Sequence, residues 1–249
     1  WGHPLASGLK MVWLFSEGGG LPSDMVSQRR AISHVGVLWQ PTPRGIGLSD
    51  AGTTGDNVRL SNTQIMVTLS RASFTFLGRH ANDTSQSFGR IAYGERAASG
   101  NDIWKIGRGD SVGGLTQMQL THRDDAGGLT RFMSGANGVV TDGEYNVWTL
   151  TKSGTAVIWY KDGRLVNTGT LVGSDTFTNA NVVAAFMDPA STTEVWNGQI
   201  VFIVGHARTL SAPEVLAFHA EPYAFLQPVI RRRWFVPAAG VEAVLPGHG

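Results

Sequence analysis

The sequence predicts an antiparallel β-sandwich, all-β apart from one short helix near the C-terminus. Three observations carry this. Short apolar or alternating runs recur along the chain, separated by clusters of turn residues. Glycine is abundant, 32 residues against 10 prolines, and lacks a three-residue period; this suits many tight turns and excludes collagen. Strand patterns do not alternate with helical ones, so a parallel α/β sheet is not expected.

The elements follow in order. Lys10-Met11-Val12-Trp13-Leu14-Phe15 is an apolar run ended by Ser16-Glu17-Gly18-Gly19-Gly20, a turn that lacks the Lys-Ser/Thr of a phosphate loop. Asn57-Val58-Arg59-Leu60, Gln64-Ile65-Met66-Val67-Thr68-Leu69 and Phe74-Thr75-Phe76-Leu77 read as strands, as do Ile103-Trp104-Lys105-Ile106 and Gln117-Met118-Gln119-Leu120. Val147-Trp148-Thr149-Leu150-Thr151 leads into Ala156-Val157-Ile158-Trp159-Tyr160. There Asp162-Gly163, between two apolar runs, accepts the positive φ angles of a tight hairpin. Residues 182–186 and 199–204 are two further strands rich in β-branched residues. The helix starts in Leu210-Ser211-Ala212-Pro213-Glu214-Val215. Ser211 and Glu214 have capping-box spacing, and Pro213 suits the first turn. No boundary falls within residues 1–220. A sandwich over 1–221 and an extended arm over 222–249 are expected.

Composition excludes several functions. Hydrophobic residues make up 42% and charged residues 16%, enough apolar material for a core and too little charge for a disordered chain. Lys+Arg 20 against Asp+Glu 19 leaves a net charge of +1, so no nucleic-acid partner is expected. With Cys 0, disulfides, zinc–thiolate sites, iron–sulfur clusters and cysteine nucleophiles are ruled out. No apolar run reaches the ~18–20 residues that span a bilayer, and no signal-type segment is visible, so no membrane partner is expected.

The order of these segments resembles the concanavalin-A-like, laminin-G-type jelly-roll domains. Leu9 to Gly20 is similar to the family's first strand and its Asn/Ser-Glu-Gly-x-Gly turn; Gly55-Asp56-Asn57-Val58-Arg59-Leu60 resembles "G-D-Y-V-x-L". Glu144-Tyr145-Asn146-Val147-Trp148-Thr149-Leu150-Thr151 takes the place of "W-H-H-V-A-x-T", without the His pair, and Trp159-Tyr160-Lys161-Asp162-Gly163 is similar to "L-Y-V-D-G". Trp196-Asn197-Gly198-Gln199-Ile200 resembles "F-x-G-x-I", and the helix start resembles "L-S-x-x-E-I". The tail, Glu221-Pro222-Tyr223-Ala224-Phe225-Leu226-Gln227-Pro228 followed by Arg231-Arg232-Arg233, resembles the ending of laminin-G-like proteins of tailed bacteriophages, with Tyr223 in place of Trp. The start, His3-Pro4-Leu5-Ala6-Ser7-Gly8-Leu9, is similar to theirs as well.

The resemblance implies a non-enzymatic virion protein on the phage surface, in head decoration or a tail fibre. It would act through packing against other virion subunits and form a homo-oligomer, a trimer in this setting. The arm would dock on a neighbour through Tyr223, Phe225, Trp234 and Phe235 as apolar anchors and Arg231, Arg232 and Arg233 as polar clamps. The alternative is a lectin or adhesin module that binds host-surface glycans. No cofactor is expected except calcium, which many sandwiches of this family hold at a rim; Asp124 and Asp125 with Asp102 or Asp110 would supply it, and otherwise read as loop turns.

Other motifs read as structure. Gly109-Asp110-Ser111-Val112-Gly113 matches a nucleophile elbow but precedes a strand rather than a helix. Arg108-Gly109-Asp110 is an adhesion tripeptide at chance frequency, and Asn82-Asp83-Thr84 is a glycosylation sequon. No carboxylate pair alternates along one strand: Glu17, Glu95, Glu144, Glu194, Glu214 and Glu221 are isolated. The 7 His form no metal-binding pair. Of the 8 Trp, Trp13, Trp104, Trp148 and Trp159 are expected in the core, and Trp39, Trp196 and Trp234 in or near loops.

Overall fold

The computed structural model describes residues 3–51, 56–61, 66, 68–81, 90–97, 102–109, 116–123, 129–135, 138–174, 180–186 and 194–226. In chain order the strands are β1 (Leu9–Trp13), β2 (Ser33–Val35), β3 (Leu38–Thr42), β4 (Gly45–Ala51), β5 (Asn57–Ser61), β6 (Arg71–His80) and β7 (Arg90–Ala97). Then come β8 (Asp102–Arg108), β9 (Met118–Arg123), β10 (Leu129–Met133), β11 (Tyr145–Ser153), β12 (Ala156–Lys161), β13 (Arg164–Thr170), β14 (Ala180–Ala185), β15 (Asn197–His206) and helix α1 (Ala212–Ala220). They form a jelly-roll sandwich of two antiparallel sheets. One has eight strands in the order β13-β12-β11-β6-β15-β4-β3, with β1 also beside β15; the other has seven in the order β10-β9-β8-β7-β14-β5-β2.

The inner faces interlock through aromatic rings. Phe74 of β6 meets Tyr93 of β7 across the two sheets at 4.6 Å, and Trp148 meets Trp159 edge-on at 6.2 Å. Trp13, Trp104, Trp148 and Trp159 are buried, as the strand patterns predict. Trp196, expected near a loop, is also buried, with Phe76 set edge-on at 5.8 Å. Trp39 is half-buried within β3 and donates to the Gly20 carbonyl at 3.2 Å. Trp234 lies outside the described residues.

The expected strand over 64–69 is not present at its described positions: Met66, Thr68 and Leu69 lie in a bend and turn. Chain-distant chemistry replaces the ladder. The buried Glu95 carboxylate accepts the Met66 N–H at 2.7 Å and the Tyr93 hydroxyl at 2.6 Å, so the backbone donor is satisfied without a strand partner. Strands β2, β3, β4, β7 and β10 go beyond the sequence reading. Their residues are polar, glycine-rich or charged, and tertiary pairing makes them strands.

Two local signals hold. Asp162 and Gly163 have φ of 51° and 79°, the tight turn between β12 and β13. At the helix start the Ser211 N–H donates to the Glu214 carboxylate at 2.8 Å, the reach-back half of a capping box, and the Ser211 hydroxyl donates to the same oxygen.

The eight-stranded sheet carries a second apolar layer on its outer face. Leu5, Phe218 and Phe225 cover Val12, Leu77, Val147, Phe202 and Val204 there. Phe218 packs on Phe202 at 5.9 Å and stacks on Phe225 at 5.4 Å. His206 ties the N-terminal turn to β15 by donating from Nε2 to the Leu5 carbonyl at 2.8 Å. A polar clamp sits elsewhere on β6. Arg108 donates from Nη1 to Asp142 at 2.9 Å and to His80 Nδ1 at 2.7 Å. His80 Nδ1 also lies 3.1 Å from the same Asp142 oxygen, so the three side chains form one compact cluster.

Replacing Phe218 with Ala is expected to cost about 3–5 kcal/mol of stability, measured by denaturant unfolding, because it removes a ring stacked on both sides. Acid should destabilise the chain. Burial first, then Arg108, lowers the His80 pKa from 6.5 to about 4; burial does the same for His206. Between those pH values the unfolded chain binds more protons. Stability is therefore complete above pH 6.5 and falls as pH drops toward 4, by on the order of 3 kcal/mol per histidine. Unfolding titrations of wild type and His206→Gln across this window should show a shallower slope for the variant; identical slopes would refute the assignment to His206.

Candidate functional site

The outer cap covers only part of the eight-stranded sheet. Across the rest, one row of directly opposed residues runs over five strands. Tyr145 of β11 faces Arg79 of β6, Arg79 faces Gln199 of β15, Gln199 faces Ser49 of β4, and Ser49 faces Leu38 of β3. Opposed residues of an antiparallel pair share a face. Their neighbours Leu48 and Ile200 belong to the core, so this row points outward. At a strand spacing of ~4.8 Å it spans roughly 19 Å. Gly198 permits the close approach here: it has φ of 145°, and a Cβ on it would strike the Arg79 carbonyl.

The row is linked by side-chain bonds. The Tyr145 hydroxyl donates to Gln199 Oε1, and Gln199 Nε2 donates to Gln40 Oε1 at 3.0 Å. This orders both amides and turns the Gln40 NH2 group away from the relay. The Arg79 guanidinium lies 5.6 Å from the centre of the Tyr145 ring, in cation–π range. Burial raises the Tyr145 pKa, opposed by Arg79 and by a bond with Thr42, so the side chain is a neutral phenol at pH 7.

Beside Tyr145 opens a cleft of about 280 Å³ with Leu77 and Val147 among its lining and Arg44, Asp162, His219 and Pro222 around it. A neighbouring hollow of about 360 Å³ shares Asp162 and His219 and adds Lys161, Arg164 and Val166. Asp162 is a structural acceptor: Oδ1 takes the Val147 N–H at 2.8 Å and Oδ2 the Asn146 amide at 3.0 Å. His219 approaches it at 3.8 Å. Tyr223 donates to the Arg44 carbonyl at 3.2 Å, joining the β3–β4 turn to the C-terminal segment.

The expected site residues are distributed as follows. Tyr223 is half-buried, edge-on to Phe202 at 5.9 Å, and Phe225 is 1% exposed against Phe218. Both pack on their own chain, and Phe225 has no surface left for a neighbour. Arg231, Arg232, Arg233, Trp234 and Phe235 lie outside the described residues, as do Asp110, Asp124, Asp125, Ser111 and the Asn82 sequon. Asp102 is on β8, with its side chain outside the described set. Among the described residues, no group of three or more His, Asp or Glu could hold a metal ion. The Arg108 of the adhesion tripeptide is buried in the clamp with Asp142 and His80, not presented at a tip. Glu95 is buried, Glu194 pairs with Lys105 at 2.9 Å, and Glu214 caps the helix.

Sequence reasoning did not single out Tyr145, Arg79, Gln199, Gln40 or Arg44 as a site. One signal was present: strand alternation puts Tyr145 and Val147 on the face opposite Trp148. Which face remains open depends on where the cap ends.

No family model matches the chain, and no curated protein matches it by sequence. Solved structures share the fold. The binding domain of Paraclostridial Mosquitocidal Protein 1 matches with a TM-score of 0.71 at 10% identity, covering 88% of this chain and 53% of that one. Domain 4 of AbnA, an extracellular arabinanase from Geobacillus stearothermophilus solved with arabinotriose, matches with a TM-score of 0.66 at 14% identity over 86% of this chain and 98% of the domain. The receptor-binding domain of botulinum neurotoxin D matches at 0.64 and 13% identity over 88% and 54%. The chain thus spans about half the length of the two toxin binding domains and nearly all of the arabinanase domain. Identities this low establish the β-sandwich fold alone.

Proposed function

We propose that the chain is a non-enzymatic carbohydrate-binding domain whose ligand sits in the Tyr145 cleft. The observation that carries this is the convergence, on one open face, of an aromatic ring, apolar side chains and ordered polar groups. Tyr145 offers an aromatic edge or face and Pro222 an apolar rim, over a floor closed by the buried Leu77 and Val147. Arg44 lines the same cleft, and Arg79, Gln199 and Gln40 continue from Tyr145 along the open row. A sugar ring presents the complement, an apolar C–H face rimmed by hydroxyls. A shallow concave site with few, fixed polar groups is the usual form of a small-ligand site. The fold shared with an arabinanase domain solved with arabinotriose and with toxin receptor-binding domains supports the reading. The roles of Glu95, Glu194, Glu214 and Asp162 in packing, pairing, capping and turn formation support binding over hydrolysis.

A narrower setting is a phage particle, where a receptor-binding fibre would unite the two roles. It rests on the sequence resemblance of the tail, and none of the three structures above is named as a phage component. In that setting the arm expected over residues 222–249 would be the docking element, with the turn at residues 224–226 resting on the outer cap through Phe225.

Screening the purified chain on a glycan array, then titrating its best glycan by calorimetry, tests the site. Tyr145→Ala should weaken binding by about tenfold or more, roughly 1.4 kcal/mol, with Tyr145→Phe in between. An unchanged affinity in Tyr145→Ala, or an array without a hit, would sink the proposal. For the arm, light scattering on the full chain and on one ending at Leu226 should show an oligomer that dissociates on truncation. A monomer in both forms would count against the docking role.

A further inference from the structure

We propose that the Tyr145 cleft selects an acidic sugar, one whose carboxylate is taken by Arg44 and Arg79. This rests on the carbohydrate-binding reading and adds the charge class of the ligand.

Donors outnumber open acceptors at the site. Each acceptor of the site already holds one partner. Asp162 receives the Val147 N–H on one oxygen and the Asn146 amide on the other. Gln199 Oε1 receives the Tyr145 hydroxyl, Gln40 Oε1 receives Gln199, and the Arg44 carbonyl receives Tyr223. The donors are in surplus. The orientation of the relay leaves the Gln40 NH2 group to donate. Arg79 stacks on Tyr145 with its Nε buried, so contact with a ligand falls to its terminal nitrogens. The Arg44 side chain is exposed and makes no ion pair among the described residues. Guanidinium groups only donate, and their fork matches a planar carboxylate.

A neutral sugar both donates and accepts through its hydroxyls. Its donors would compete for the few acceptor positions left on Asp162 and the relay, while the guanidinium donors went partly unmatched, at a cost in affinity. A carboxylate accepts only and meets this surplus directly. The relay adds direction: Tyr145, already donating to Gln199, keeps its ring fixed beside the cleft, so the sugar ring and its acid group have separate places to rest.

The test uses the full chain and matched probes. Trigalacturonate and a sialylated trisaccharide are each titrated beside their carboxyl-reduced counterparts, which differ only in the acid group. At least one acidic member should bind about tenfold or more tightly than its neutral twin, and raised salt should narrow the difference. Arg44→Gln should reduce the preference, and Arg44→Gln with Arg79→Gln should remove it. Gln40→Glu replaces a donor with a carboxylate and should weaken the acidic member about tenfold more than the neutral one. This variant and Arg44→Gln alter accessible side chains, so the test survives if the Arg79 variant misfolds. Equal binding of acid and neutral twins, or a preference that persists in Arg44→Gln and Gln40→Glu, overturns the charge preference and leaves the sugar-binding reading standing. Binding to no member of either kind overturns both.

Discussion

The rest of the structure depends on one strand, β15, being buried on both faces. All but its first residue are shielded from solvent. On one edge it pairs with β6 along most of its length; on the other it pairs first with β4 and then with β1. A bulge between Ile200 and Phe202 breaks the alternation. Ile200 and Ile203 therefore join the inter-sheet core, while Val201, Phe202 and Val204 join the outer layer. A strand this apolar on its outer side cannot face water, so something must cover it. The N-terminal turn, α1 and the turn at residues 224–226 do so, which brings segments from near both ends of the chain onto one face.

That cover also defines the candidate site by where it stops. The cap follows the apolar residues of β1, β6, β11 and β15 and ends where their outward positions become polar. Arg79, Gln199 and Tyr145 lie on the same strands as Leu77, Phe202 and Val147, a short step along. The apolar layer therefore forms one wall of the cleft, and the polar row continues as open sheet. Tyr223 and Pro222, at the end of the cap, close that wall.

Several charged side chains enter the interior, and specific partners meet them there. Glu95 is held by a tyrosine hydroxyl and a backbone N–H; burial and then the Glu95 charge push the Tyr93 phenol well up. Lys152 lies over the Trp104 ring at 5.4 Å, and Arg108 engages Asp142 and His80 together. Each joins segments far apart in the chain. Such contacts specify one arrangement of loops more than they add net stability, since burying a charge costs about what its pairing returns.

The fold class, the core strands around the aromatic residues, the Asp162-Gly163 turn and the helix start at Ser211 are legible along the chain. These are signals of short range: apolar alternation, a turn dipeptide, a cap. The chain also carries the composition that excludes cysteine chemistry. The remaining features follow from contacts between distant segments. Whether Met66 lies in a strand depended on Glu95, 29 residues away in the chain. Whether Trp196 and Phe225 are surface or core depended on what packs over them. Tyr145, Arg79, Gln199, Ser49 and Leu38 come from five different strands, and nothing in their local sequence ties them together. Their row exists because antiparallel register lines them up, and it stays open because the cap ends beside it. Register and coverage are properties of distant segments meeting, and no window along the chain contains them.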